Sequence, residues 1–270
     1  MNRQFSVNSF TNLEDTGFSA EEYSMLKFGS NKIAKKFGYT LATEFFAKYS
    51  DVLISNQCVV IPSPYNHVEN AASLMTKYFV DELNHLLVEA NGEHVETSII
   101  HRKVSYINDY GFLSKEKRKG LIANDRFYLN KKFLKDKTLI FIDDVKITGT
   151  HEDKLKDVLA NERMNNDAFF VYFAQYLGDS PDIESKINLA AMSTPQDYIK
   201  LVLDNDCTVI VRTIKYLLGL GVGQFAHVIR QIPIEVVETI YLGALGEGYY
   251  KIPTYQANIN SLKEKVNKRS

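Results

Sequence analysis

Lys137-Thr138-Leu139-Ile140-Phe141-Ile142-Asp143-Asp144-Val145-Lys146-Ile147-Thr148-Gly149-Thr150-His151 is the stretch that decides how this chain is read. Leu139 to Ile142 are apolar on consecutive residues, as a parallel strand covered on both faces requires. Two acids follow, then a tight Thr-Gly-Thr turn that opens a helix. Each part suits one part of a sugar phosphate. Adjacent carboxylates can accept hydrogen bonds from vicinal ribose hydroxyls. A small-residue turn at a helix start offers backbone N–H groups and hydroxyls to a phosphate dianion. Ligands of open α/β sheets bind at such carboxyl ends.

Other chemistries also place acids at a strand end. A Walker B segment needs a Gly-x-x-x-x-Gly-Lys-Ser/Thr partner, and the chain has none. A dehalogenase-like phosphatase needs Asp-x-Asp, but Val145 holds the third place. A receiver domain would carry its acidic pair near the start of a shorter chain. A plain capped helix after a buried strand accounts for one acid, but not for Asp-Asp and Thr-Gly-Thr together.

The chain has 270 residues, 45% of them hydrophobic, enough for one large domain or a core with an appended subdomain. Its net charge of −1 makes no general case for nucleic acid or a membrane surface. No run of apolar residues is long enough to span a bilayer. Met1 to Asn12 is polar and lacks the apolar centre of a signal peptide. Cys58 and Cys207 sit in apolar runs, which fits free thiols in a reducing cytoplasm. A cytoplasmic location is the expectation.

Outward from the opening stretch, Ser19-Ala20-Glu21-Glu22 reads as a capping box. Asn31 to Tyr49 carries Ile33, Phe37, Leu41, Phe45 and Phe46 at helical spacing. These helices are expected to form a hood or a dimer face. Cys58 to Pro62 reads as a strand, Ser63-Pro64-Tyr65-Asn66-His67 as the loop after it, and Asn70 to Glu89 as an amphipathic helix. Val95 to Ile100 and Ala168 to Ala174 read as further strands. From Lys115 to Lys137 there are nine Lys/Arg against three Asp/Glu, a basic segment. The last third reads as helices over 181–189, 194–203, 208–218, 223–231 and 233–246, with Val209 to Val211 also compatible with a strand. Lys263 to Ser270 is expected to fray. Strands alternating with helices argue a parallel α/β sheet. The organisation expected is a helical hood over 1–55, an α/β core over 56–178 and a mostly helical extension over 179–270.

The stretch resembles the phosphoribosyl-pyrophosphate (PRPP) motif of type I phosphoribosyltransferases, an apolar run, two acids and a Thr-Gly turn. Lys146, Ile147 and His151 depart from the usual pattern. The basic segment further resembles the ComF-like branch, through Leu113-Ser114, Arg118 and Phe127. His151 after Thr-Gly-Thr is similar to the branch linked with tellurium-resistance gene clusters, which implies synthesis of a nucleoside-like metabolite.

The resemblance implies Mg2+-dependent transfer of phosphoribose between PRPP and a base-like acceptor. Asp143 and Asp144 would hold ribose hydroxyls and meet the metal indirectly, through those hydroxyls or water. Lys146, Ile147, Thr148, Gly149, Thr150 and His151 would hold the 5′-phosphate. Ser63, Pro64, Tyr65, Asn66 and His67 would hold pyrophosphate, although alone they also read as a Pro-stabilised surface turn. Arg102 and Lys103 would face pyrophosphate and act with the acids. Ser114 and Arg118 would lie on a flexible loop, and Tyr176 would meet the acceptor. Neither nucleic acid nor membrane is expected as a partner, and a homodimer is compatible with the N-terminal helices. Two other readings stand beside the enzyme. One is a module that binds a phosphoribosyl ligand or nucleotide without turnover. The other is a scaffold whose C-terminal helices bind a protein.

Overall fold

The structure, a computed structural model, describes residues 2–103, 126–204 and 206–268. Its centre is a five-stranded sheet formed by β1 (Asn2–Phe10), β2 (Cys58–Pro62), β3 (Glu96–Thr97), β6 (Thr138–Lys146) and β7 (Ala168–Tyr176). The strand order is β1-β7-β6-β2-β3, and every pairing is parallel. The α/β class with a parallel sheet is therefore as read from the sequence. A separate two-stranded ladder joins β4 (His101–Lys103) to β5 (Arg126–Tyr128), antiparallel.

The N-terminal 55 residues are not simply a helical hood. Asn2 to Phe10 forms the sheet's edge strand, from Asn2 opposite Ala168 to Phe10 opposite Tyr176. Only Phe5 and Phe10 of this strand are buried. An edge strand needs apolar residues on little more than one face, so its sequence looks polar. After it come α1 (Ala20–Lys27) and α2 (Asn31–Ser55), capped by Ser19 and Ser30. The stripe Ile33, Phe37, Leu41 and Phe45 of α2 is buried. Phe37 stacks on Phe173 at 3.9 Å, and Phe45 meets Phe169 edge-on at 5.2 Å. That stripe covers the sheet.

Alongside α2 lies α3 (Ala71–Glu89), capped by Asn70. The other sheet face is covered by α4 (Lys131–Leu134) and α5 (Thr150–Asn161), through Leu134, Leu155 and Leu159. The strand read over Val95 to Ile100 is shorter, β3, because the chain leaves the sheet after Thr97 and turns Ile99 to solvent.

The last third folds as α6 (Ile183–Leu189), α7 (Pro195–Leu203), α8 (Val211–Leu218), α9 (Val222–Gln231), α10 (Ile234–Gly246) and α11 (Gln256–Asn267). Val211 opens a helix, which settles the strand alternative for 209–211. Of the tail expected to fray, the residues up to Asn267 are helical, because they continue a helix in which Ile259 and Leu262 are buried and Asn258 donates to the Leu218 and Leu220 carbonyls. The helices α7 to α11 share one apolar cluster with Phe28, while α6 packs through Ile183 and Ile187 into the core of the sheet. The segment before α8 is fastened to the α1–α2 turn. Ser30 Oγ and Lys32 N donate to the Asp206 carboxylate at 2.6 and 2.8 Å, and Thr208 N donates to Gly29 O at 2.9 Å. Gly29 has φ +96, and a Cβ there would lie 2.0 Å from Thr208 O. Among the described residues no helix is long and apolar enough to cross a membrane.

Gly38 lets α2 and α3 approach. A Cβ at this position would lie 2.7 Å from Met75 O and 2.9 Å from Phe79 N, both backbone atoms. Gly38→Ala gains about 1 kcal/mol of helix propensity. Overpacking costs about 1–3 kcal/mol and wins where the neighbour is backbone. Urea unfolding is expected to show a net loss of stability, and a gain would mean the helices separate freely.

Candidate active site

Where β6 ends, three segments meet. They are the β6 end itself, the loop after β2 and the first turn of α5. A crevice between them is lined by Ser63, Pro64, Ile142, Asp143, His151, Glu152 and Tyr172, over a floor of Ile61, Phe141 and Phe170. Ser63, Pro64, Asp143 and His151, picked out in the sequence, are thus brought together. His151 Nδ1 stands 3.6 Å from Asp143 Oδ2, ion-pair range when the imidazole is protonated.

The acidic pair does not act as a pair. The strand continues through both acids, with Asp143 opposite Tyr172 and Val145 opposite Ala174. Successive side chains of a strand point to opposite faces. Asp143 faces the crevice, and its side chain is 23% exposed. Asp144 is buried on the other face and bonds to the ammonium of Lys27 from α1. Burial raises the Asp144 pKa, but the charge and hydrogen bond of Lys27 outweigh it, and the net direction is down. Asp144 is therefore not free for a ribose hydroxyl, which corrects the expectation that both acids would hold the sugar.

Lys146 is also committed. Its ammonium donates to Glu152 Oε2 and Gln4 Oε1, each at 2.6 Å. Glu152 takes further bonds from Lys156 Nζ at 2.5 Å and Tyr172 OH at 2.9 Å. Burial raises the Glu152 pKa, while these donors lower it by more. The Tyr172 hydroxyl is pushed up, first by burial and then by the Glu152 charge. This network props the turn from beneath. Lys146 does not aim at a phosphate, and Ile147 packs its side chain against the core. What remains for an anion is Thr148 to His151. Gly149, at φ 73 and ψ 1, is the N-cap of α5. Its left-handed backbone lets the chain turn so that the first-turn amides, unpaired within a helix, lie at the crevice end. The hydroxyls of Thr148 and Thr150 are 2.9 Å apart.

Several expected site residues lie elsewhere. Tyr176 is buried against Phe10, and its hydroxyl accepts from Ser180 N at 2.7 Å, so it does not face an acceptor. Asn66 and His67 are held by Glu247 of the C-terminal helices. Tyr65 bridges to His101 at the start of β4, the strand that carries Arg102 and Lys103. Ser114 and Arg118 lie outside the described residues. Lys27, Glu152, Tyr172 and Glu247 were missed. A Glu in the first turn after Thr-Gly-Thr was a visible signal for Glu152. The other three come from distant segments and had none.

A family model described as PRTase ComF-like, PRTase standing for phosphoribosyltransferase, matches residues 1–262. The chain belongs to this family. The match includes the C-terminal third, where no resemblance was legible. No curated protein matches the chain. Among solved structures it is similar to a hypoxanthine phosphoribosyltransferase from Staphylococcus aureus, with TM-score 0.36 and 9% identity over 54% of this chain and 76% of that one. It is also similar to hypoxanthine-guanine phosphoribosyltransferase from Schistosoma mansoni in complex with IMP, with TM-score 0.32 and 14% identity over 55% and 68% of the two chains.

Two expected outcomes follow from the charges of this ComF-like site. Asp144→Asn strands the Lys27 ammonium, whose side chain is 19% exposed. The expected loss is about 3 kcal/mol by urea unfolding, and an unchanged midpoint would remove the ion pair from the fold's foundations. Glu152 has a depressed pKa, so its contribution is present above the ordinary carboxylate range and lost as pH falls through it. Between about pH 3 and pH 7, Glu152→Gln is expected to start less stable and to lose less on acidification than wild type. Parallel curves would contradict this.

Proposed function

We propose that this chain is a phosphoribosyltransferase that seats a ribose 5-phosphate moiety in the crevice and transfers phosphoribose to or from a base-like acceptor. The observation that supports this most is Asp143, a partly exposed carboxylate facing the same crevice as Ser63 and as His151 in the first turn of α5. Asp143 accepts from a ribose hydroxyl. The turn's amides and hydroxyls, with His151, take the 5′-phosphate. Asp144 acts through the backbone: locked to Lys27, it fixes the strand end from which Asp143 projects. Arg102 and Lys103 on β4, with Ser63 and Tyr65, serve the leaving diphosphate. In the transfer, the bond from ribose C1′ to the pyrophosphate oxygen breaks and pyrophosphate leaves with the electron pair. A bond from C1′ to an acceptor nitrogen forms, and the proton of that nitrogen passes to the departing pyrophosphate or to water. The apolar floor of Ile61, Phe141 and Phe170 limits water near C1′.

Mg2+ fits this donor set. No group of three or more His, Cys, Asp or Glu is gathered among the described residues, so there is no protein cage. Mg2+ needs none, being held through one or two carboxylates, waters and substrate phosphates. Asp143 is the carboxylate available, through water or the ribose hydroxyls, because Asp144 is taken by Lys27. When bound, the ion would offset charge on the diphosphate.

Ile147 favours a second reading, a phosphoribosyl-binding module without turnover. Its side chain is turned into the core, so the turn lacks an acid or base at that position. Ligand binding without pyrophosphate release across an acceptor panel would favour it.

Calorimetric titration of ribose 5-phosphate, and of PRPP with and without Mg2+, tests the site. Loss of one charge-assisted hydrogen bond is worth about 1.5–3 kcal/mol. Asp143→Asn is therefore expected to weaken ribose 5-phosphate at least about tenfold. Unchanged affinity would falsify the placement of the ribose against Asp143.

A further inference from the structure

The loop assigned to pyrophosphate already holds an anion, and it comes from the chain itself. His67 N and Val68 N donate to Glu247 Oε1 at 2.8 and 2.7 Å. Asn66 Nδ2 donates to Glu247 Oε2 at 3.3 Å. Consecutive backbone amides converging on one oxygen make the kind of concavity that binds phosphates.

The helix that delivers this carboxylate is shaped for the approach. Glu247 follows the last residue of α10, where the helix dipole disfavours negative charge. The three donors on the loop compensate for that position. A Cβ on Gly246 would lie 2.0 Å from the His67 ring, and one on Gly243 would lie 3.0 Å from Val68 Cγ2. Directly after Glu247 the chain turns away at Gly248, with φ 75. On the same loop Val211 N, opening α8, donates to Glu69 O at 2.9 Å. The C-terminal helices thus grip the loop at two points and put a carboxylate into it.

We propose that Glu247 is an internal competitor for the diphosphate seat and sets the ligand preference of the resting protein. The loop over 63–68 itself contains no Lys or Arg, and Arg102 and Lys103, proposed above for the diphosphate, lie outside it on β4. A diphosphate arriving there meets a negative charge and amides already in use. The 5′-phosphate is served by a separate set of donors at Thr148–His151 and is not opposed by Glu247. Resting protein therefore takes ligands with a 5′-phosphate alone, ribose 5-phosphate or a nucleoside 5′-monophosphate, in preference to PRPP. PRPP binds by displacing Glu247. This rests on the phosphoribosyl reading of the crevice, but the competitor itself can be tested apart from it.

The experiment is calorimetric titration of the full chain with inorganic pyrophosphate, PRPP and ribose 5-phosphate, each with Mg2+. Wild type is compared with Glu247→Ala, which frees the amides, and Glu247→Gln, which keeps the shape and an acceptor oxygen but removes the charge. Both variants are expected to gain at least about tenfold for pyrophosphate and PRPP, with ribose 5-phosphate unchanged. The near-ultraviolet spectrum of Glu247→Gln, expected to match wild type, reports that α10 is still docked. Two results would overturn the proposal. One is wild type binding PRPP more tightly than ribose 5-phosphate. The other is pyrophosphate affinity unmoved in both variants. If wild type ignores ribose 5-phosphate while both variants gain pyrophosphate, the competitor stands and the phosphoribosyl reading falls.

Discussion

Everything around the site depends on the side-chain alternation of β6 and on the ion pair that holds its far face. Because β6 continues hydrogen-bonded past Asp143 and Asp144 to Lys146, the two acids diverge. One faces the crevice and the other pairs with Lys27. A buried carboxylate without a partner would carry a heavy desolvation penalty. The strand end therefore keeps its position only while α1 is docked. Sequence neighbours thus acquire different surroundings, the crevice for Asp143 and the Lys27 ammonium for Asp144.

The same division recurs in the turn that follows. Lys146 and Glu152 neutralise each other beneath it, with Lys156 and Tyr172 completing the set. Ile147 fastens the turn to the core. These side chains hold the backbone of Thr148 to His151 in place, and the backbone and hydroxyls are left to meet an anion. Such a seat depends on amide direction and not on formal charge, which suits a phosphate brought to a helix start.

The C-terminal helices are part of the site's construction. Asp206 and Thr208 tie them to the α1–α2 turn, which leads to Lys27 and so to Asp144. Glu247 ties them to the loop after β2. Both walls of the crevice are thereby braced by elements that lie far away in the chain. That a family model extends to residue 262 accords with this arrangement.

The sequence by itself determined the features written in local pattern. The apolar run of β6, the helical stripe Ile33–Phe37–Leu41–Phe45, the amphipathic run over 70–89 and the capped start at Ser19 give the parallel α/β class and the first helices. Thr148-Gly149-Thr150 locates the turn into α5, because the constraint, a left-handed Gly at a helix start, lies within a few residues. The edge strand Asn2–Phe10 was not legible, since half its side chains face water and its partner lies more than 160 residues away. Which acid faces the ligand, whether Lys146 is free and what fills the loop at 66–68 were decided only by tertiary structure. Each turns on a charged partner, Lys27, Glu152 or Glu247. Lys27 and Glu247 meet their partners through packing that no local pattern encodes. Glu152 lies one turn along the same chain, but its burial is set by Tyr172 on a neighbouring strand.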